Sequence, residues 1–238
     1  MPRPLETEHP VNLYASHLHR TRIWDLPTRL FHWALVVSVV GLVVSGNIGG
    51  SAMVWHFRFG QAVLALLMFR LLWGLIGGHW SRFSSFIVHP LAVLGELRGR
   101  GRPEWHTGHS ALGSLSVIAF VLVLLAQVAS GLISDDAIAF AGPLTHLVSS
   151  TTVSQASDYH KEVGKLLLIG LVLLHLLAII WHTFKGRAIV GAMIHGDKPL
   201  EQVVPASRDG WRQRLLALAV MASCLAASAW VFSLAPAF

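Results

Sequence analysis

Five histidines stand inside or at the edge of long apolar stretches of this sequence: His32, His56, His160, His175 and His182. An ionisable side chain at such a place is costly to keep out of water, so each is a candidate for chemistry rather than for solvation. A neutral imidazole can pass protons in a relay, or it can give a lone pair to a metal, haem iron included. A relay needs further polar groups along a path. The stretches 30–48, 111–133 and 215–234 offer almost none, and no acidic residue lies in the middle of any stretch. Ligation needs only that histidines meet in pairs at one level.

Whether they can meet depends on the elements that carry them. Of 238 residues, 54% are hydrophobic and 13% charged, with a mean hydropathy of +0.60, whereas an ordinary globular domain carries about 25% charged residues. Five stretches reach the roughly 20 apolar residues that a helix needs to cross a hydrocarbon core: Leu30 to Ile48, Trp55 to Gly77, Ala111 to Ile133, Leu166 to Phe184 and Leu215 to Leu234. The first is not read as a secretory signal, because Asp25, Pro27 and Arg29 lead into it and no small-residue cleavage pattern follows.

A net charge of +6 could suggest a nucleic-acid partner, but the basic residues divide by loop. Segments 1–30, 79–110 and 185–214 carry fourteen Lys and Arg, and the alternating segments 47–58 and 134–165 carry three. That is the positive-inside pattern of a membrane protein. It predicts no nucleic-acid partner, a cytoplasmic N-terminus and a C-terminus on the far side of the membrane. The expected fold is all-α: a cytoplasmic segment (1–29), a four-helix transmembrane bundle (30–195), a cytoplasmic linker (196–214) and an additional C-terminal transmembrane helix (215–238). That fifth span has no histidine and reads as peripheral packing or a docking helix.

This topology sorts the histidines by depth. His32 falls at the cytoplasmic end of the first span and His56 at the outer end of the second. The fourth runs inward from His160, and His175 follows 15 residues later, roughly 22 Å deeper at about 1.5 Å per residue. Fifteen steps of about 100° leave those two about 60° apart around the helix axis, so both can face one side of the bundle. His56 should pair with His160 in an outer layer and His32 with His175 in an inner one. Two bis-histidine haems would fill these layers. Cys224 is the only cysteine, which excludes covalent C-x-x-C-H attachment and a four-cysteine iron–sulfur cluster. The haems would be of b type, held by axial ligands and packing.

Further residues are candidates around these layers. Arg70 lies 14 residues inward of His56, and Arg29 enters the first span. Either guanidinium could pair with a haem propionate or snorkel to lipid headgroups. His182 and His109, at the cytoplasmic ends of the fourth and third spans, could line a quinone pocket; an ordinary interfacial histidine is the plainer alternative. Gly41, Gly46, Gly60, Gly74 and Gly131 leave room for a backbone or a flat macrocycle. The segment 81–110, with Phe83, Phe86, Ile87, Leu91, Val93, Leu94 and Leu97 among Arg82, Arg98, Arg100 and Arg102, reads as a helix lying in the cytoplasmic interface. The outer segment 134–165, with Asp135, Asp136, His146 and Asp158, could steer a basic electron-transfer partner.

Residues 22–195 resemble the bacterial cytochrome b561 superfamily, and within it the b-type cytochrome subunits of nickel–iron hydrogenases and related dihaem, quinone-linked cytochromes. The resemblance rests on R-I-W-D-L-P-T-R-L-F-H-W from Arg22, H-F-R-F-G from His56, F-R-L-L-W-G from Phe69 and H-L-L-A-I-I-W-H from His175 to His182. It implies His32, His56 and His175 as haem ligands. The family's fourth ligand usually stands 14 residues before the His175 equivalent, where this chain has Lys161, with His160 one residue away. The fifth span and the G-H-S-A-L-G segment from Gly108 also depart from the pattern. The resemblance implies an electron-transfer subunit of the bacterial plasma membrane, its C-terminus periplasmic, linking a periplasmic redox protein, a hydrogenase or a c-type cytochrome, to the quinone pool. The alternative is a stand-alone superoxide:ubiquinone oxidoreductase like small members of the superfamily, which typically lack the fifth span.

Overall fold

The bundle begins at a buried carboxylate. In this computed structural model, which describes residues 18–86, 90–98, 107–186 and 189–235, Asp25 accepts a hydrogen bond from the Thr28 amide at 2.8 Å. It thereby caps α1 (Leu26–Ile48), whose first turn holds Pro27 where no amide hydrogen is needed. Gly49 ends α1 with φ 66°, a conformation that glycine adopts without strain. A single 3-10 turn then leads into α2 (Met53–Ile76). After two more 3-10 turns and α3 (Pro90–Leu97), Ser110 caps α4 (Ala111–Leu132) by accepting from the Gly113 amide at 3.1 Å. Ser149 caps α5 (Ser150–Asp158), which continues through a π-helical turn (Tyr159–Gly164) into α6 (Lys165–Phe184). Then come α7 (Ile189–His195) and α8 (Trp211–Ser233), while short strands β1 (His19–Arg22) and β2 (Asp197–Leu200) flank the bundle.

Packing gives four of these helices a common interior. Helix α1 lies on α2, α2 on α4, and α4 on α6. Val63, Leu67, Leu124 and Leu168 are buried at the centre, with Leu35, Val39 and Phe120 against them. Helix α8 runs along the other face of α2, where Ala217 and Cys224 meet Ala65, Phe69 and Trp73. Ser228 there donates to the Gln61 carbonyl at 2.7 Å. The outward faces are apolar: Leu75, Leu174, Leu177 and Leu218 are exposed, as suits lipid rather than water. Among the described residues, five helical stretches are long and apolar enough to cross a membrane, and the protein is an all-α membrane protein. The fourth stretch starts at Ser150, so the second half of the connection expected over 134–165 is helix.

Strand β1 pairs antiparallel with β2, Arg22 standing opposite Asp197. Arg22 bonds Asp197 at 2.5 Å and Asp209 at 2.6 Å, and Asp209 also takes Arg214 at 3.2 Å. The amides of Ile23 and Trp24 donate to the Gly196 carbonyl at 2.9 and 3.1 Å. An even number of spans lies between β1 and β2, so both belong on one side of a membrane; this is the capped end of the bundle, and the α1–α2 turn marks the open end. Of the interfacial helix expected within 81–110, the described residues include α3 (Pro90–Leu97). Phe86 is buried rather than lipid-facing, and Ile87, Arg100 and Arg102 lie outside the described residues.

Candidate functional site

At the open end, His56 on the first turns of α2 faces His160 in the π turn. Their ring centroids are 6.1 Å apart, with the rings nearly perpendicular. Nδ1 of His56 lies 3.0 Å from the Leu42 carbonyl, and Nδ1 of His160 lies 2.9 Å from the Gln127 carbonyl. Each Nδ1–H thus has a backbone acceptor, which leaves Nε2 to present its lone pair, as in histidines oriented for metals. A metal–imidazole bond of about 2 Å, with about 1 Å more from nitrogen to ring centre, sets two rings flanking one ion about 6 Å apart. The observed spacing matches. Glycines make room for both rings: a Cβ on Gly46 would stand 3.1 Å from His56, and one on Gly131 would stand 2.8 Å from Cε1 of His160.

Deeper in the bundle, His32 stands near the start of α1 and His175 midway along α6. Both are half-buried. Nδ1 of His32 is enclosed without a hydrogen-bond partner, and Phe120 meets the His175 ring edge-on at 5.7 Å. The apolar cluster of Val63, Leu67, Leu124 and Leu168 lies between the two levels. Along the α1–α6 seam runs an open cleft of about 270 Å³, lined by valines, leucines and Ile169. Paired imidazoles, glycine gaps beside them and an apolar seam are what a bis-histidine haem requires, so these residues fit that group. Among the described residues, no set of three or more His, Cys, Asp or Glu side chains converges as a compact metal centre.

Neither arginine candidate reaches toward lipid. Arg70 is buried, donates from Nη1 to the Ser81 carbonyl at 3.0 Å and lies over the Phe83 ring at 4.7 Å. Arg29 donates to the Ile194 carbonyl at 2.7 Å and approaches Asp209 at 3.9 Å. His109, just before α4, is sandwiched between Trp24 at 4.6 Å and Phe86 at 4.4 Å. Burial pushes its pKa down to about 3, helped by the positive charges of Arg70 and Lys198. It is neutral in ordinary buffers. His182 sits in the last turn of α6, beside Trp181, whose ring carries the Lys185 ammonium at 4.6 Å. His146 is exposed in the 145–147 turn. Lys161, at the family's usual ligand position, is exposed and donates to the Asp135 carbonyl at 2.9 Å.

The sequence reading missed one polar knot at the capped end. Asp25 is fully buried and accepts from the Thr28 and Gly78 amides, the Ser81 hydroxyl and the Trp73 indole. An aspartate just before Leu-Pro at a helix start was the available signal.

The family described as prokaryotic cytochrome b561 matches residues 23–196, which hold all four histidine-bearing elements and leave α8 outside. A protein of Bradyrhizobium diazoefficiens named "Probable Ni/Fe-hydrogenase B-type cytochrome subunit" is 22% identical over 209 residues, covering 74% of this chain and 85% of that protein. Proteins of the same name from Azotobacter vinelandii and Azotobacter chroococcum are 28% and 27% identical over 127 residues. Those alignments cover 42% of this chain and 53% of each relative. With paired histidines on the matched helices, the chain belongs to the prokaryotic cytochrome b561 family and is a membrane b-type cytochrome of electron transfer.

Proposed function

We propose that the chain holds two non-covalent haems b, one between His56 and His160 and one between His32 and His175, and carries electrons across the membrane between a periplasmic redox protein and quinone. The observation that carries this reading is the His56–His160 geometry: rings 6.1 Å apart, with each Nδ1 at a backbone carbonyl. A bis-imidazole haem, when bound, supplies one-electron exchange with no change of ligand.

The protein's part is to hold and insulate. The Leu42 and Gln127 carbonyls fix which nitrogen each imidazole presents. Val63, Leu67, Leu124 and Leu168 separate the two levels and keep water from between them. The fourteen-to-three division of basic residues supports a cytoplasmic capped end. The open end then faces the periplasm, where half-buried Asp136 and exposed Asp158 could steer a basic partner. The relatives' names favour a hydrogenase as that partner, with a c-type cytochrome as the other choice. The quinone would approach the cytoplasmic rim near His182, with His109 behind it.

The test is a pyridine haemochrome assay on the purified chain, together with mass spectrometry of co-purifying proteins. Two haems b per chain, extractable into acidified organic solvent, are expected. One haem per chain, or haem that stays attached, would overturn the dihaem reading.

A further inference from the structure

His160 lies fifteen residues before His175, and in an unbroken α-helix that separation leaves the two about 60° apart, whereas fourteen residues leave about 40° the other way. The structure has a π-helical turn at Tyr159–Gly164, with His160 inside it. A π turn bonds each amide to the fifth residue back and therefore holds one residue more than an α turn. Fifteen residues through it advance around the axis like fourteen. The turn points His160 inward at His56 while Lys161 faces out to the Asp135 carbonyl.

Where a π turn gives way to an α-helix, the ladder steps from the fifth residue back to the fourth, and one carbonyl loses its place. Gln127 of α4 donates from Nε2 to the His160 carbonyl at 2.9 Å. Its own backbone carbonyl receives Nδ1 of the same histidine. The amide lies flat on Gly164, where a Cβ would collide with Oε1 of Gln127.

We propose that Gln127, Gly164 and the π turn act as one positioning device that seats His160 for the open-end haem, Gln127 gripping both the backbone and the ring of the ligand residue. This rests on the ligand assignment proposed above. Gln127 touches no reacting atom; it acts through His160. Loss of its side-chain bond loosens the turn, lengthens the bond at Nδ1 and makes the imidazole a poorer electron donor to iron.

The test uses the full-length chain in detergent, with the capped-end haem as internal control. Gln127→Leu is expected to raise the midpoint potential of the open-end haem, shift its low-spin EPR g values and weaken its retention about tenfold or more. The capped-end haem should keep its own values. Deleting Glu162, an exposed residue of the π turn, should restore a plain α-helix with His160 fourteen residues before His175 and keep the open-end haem. In that background Gln127→Leu should no longer matter. The proposal is overturned if Gln127→Leu leaves both haems unchanged or alters them equally, or if the deletion variant folds with only the capped-end haem. Gln127→Leu alone decides if the deletion variant does not accumulate. His160→Ala separates the two readings: if it keeps both haems the ligand assignment itself fails, whereas loss of the open-end haem beside an unaffected Gln127→Leu removes only the device.

Discussion

Asp25 and Ser81 meet side chain to side chain at 2.7 Å, both fully buried, although 56 residues separate them in the chain. Thr28 closes a triangle with them, its hydroxyl 2.7 Å from that of Ser81, and Arg70 reaches the Ser81 carbonyl. The knot fixes the start of α1 against the end of α2, and His32 is less than two turns further along α1. Asp25→Ala would leave the Thr28 and Gly78 amides, the Ser81 hydroxyl and the Trp73 indole without their acceptor, and should cost about 3–5 kcal/mol. Asp25→Asn keeps an acceptor and should cost less. Unfolding in detergent, followed by tryptophan fluorescence, checks the order; equal stability of Asp25→Ala and the native chain would show the knot to be inert.

Ligand pairing by depth gives a pattern among four variants. His56→Ala and His160→Ala should remove the same haem, and His32→Ala and His175→Ala the other. The levels are roughly 22 Å apart along α6, beyond the reach of any side chain. Redox titration of each variant, read against the native two-component curve, checks it. A variant from one pair that removes the component assigned to the other would break the scheme.

Gly131 offers a subtler perturbation. A Cβ there would stand 2.8 Å from Cε1 of His160, so Gly131→Ala should push the imidazole aside and weaken the open-end haem while sparing the other. Gly46→Ala, at 3.1 Å from His56, should do the same more mildly. Haem occupancy after extended dialysis is the measurement, and an effect on the capped-end haem would contradict it.

His109 predicts an acid sensitivity of known sign. Its pKa is near 3 when folded against 6.5 in the unfolded chain. Between those values the unfolded chain takes up a proton that the folded protein refuses. Stability is therefore lost as pH falls below 6.5 and is unaffected above it, by about 2 kcal/mol at pH 5. His109→Phe, which can stack between Trp24 and Phe86, should remove that part of the loss. Melting curves at pH 7.5 and 5 for the two proteins test this; an unchanged difference would place the acid sensitivity elsewhere.

The rim histidines differ in surroundings. Both are half-buried, but His109 stands against two aromatic rings, whereas His182 sits in the last turn of α6. His182→Ala should therefore slow quinone-linked reoxidation of the haems more than His109→Ala does. If neither changes the rate, the quinone binds elsewhere.

Much of this was legible in the sequence for a plain reason: charge and apolar length dominate the energetics of a chain in lipid. The five spans, the alternating basic loops and the depths of His32, His56, His160 and His175 follow from those quantities. The Asp25 knot was less visible, because its members Ser81, Trp73 and Gly78 lie far along the chain and have no periodic pattern. The π turn left no trace in composition. It showed only as a one-residue discrepancy between His160 and the family's usual position. The strands were hidden because H-R-T-R and D-K-P-L lack the alternation of apolar and polar residues that marks a half-buried strand.

The pairing of β1 with β2 imposes an order on biogenesis. His19 and its partner Leu200 are 181 residues apart, so at about 5–20 residues per second the first strand waits roughly ten to forty seconds for the second to be made. During that interval Arg22 lacks Asp197 and Asp209, and Ile23 and Trp24 lack the Gly196 carbonyl. The clasp can close only when the spans between the strands have entered the bilayer with the right parity, since an inverted or skipped helix would leave the strands on opposite sides. A chain inserted with one helix missing would therefore leave β1 an unpaired basic strand.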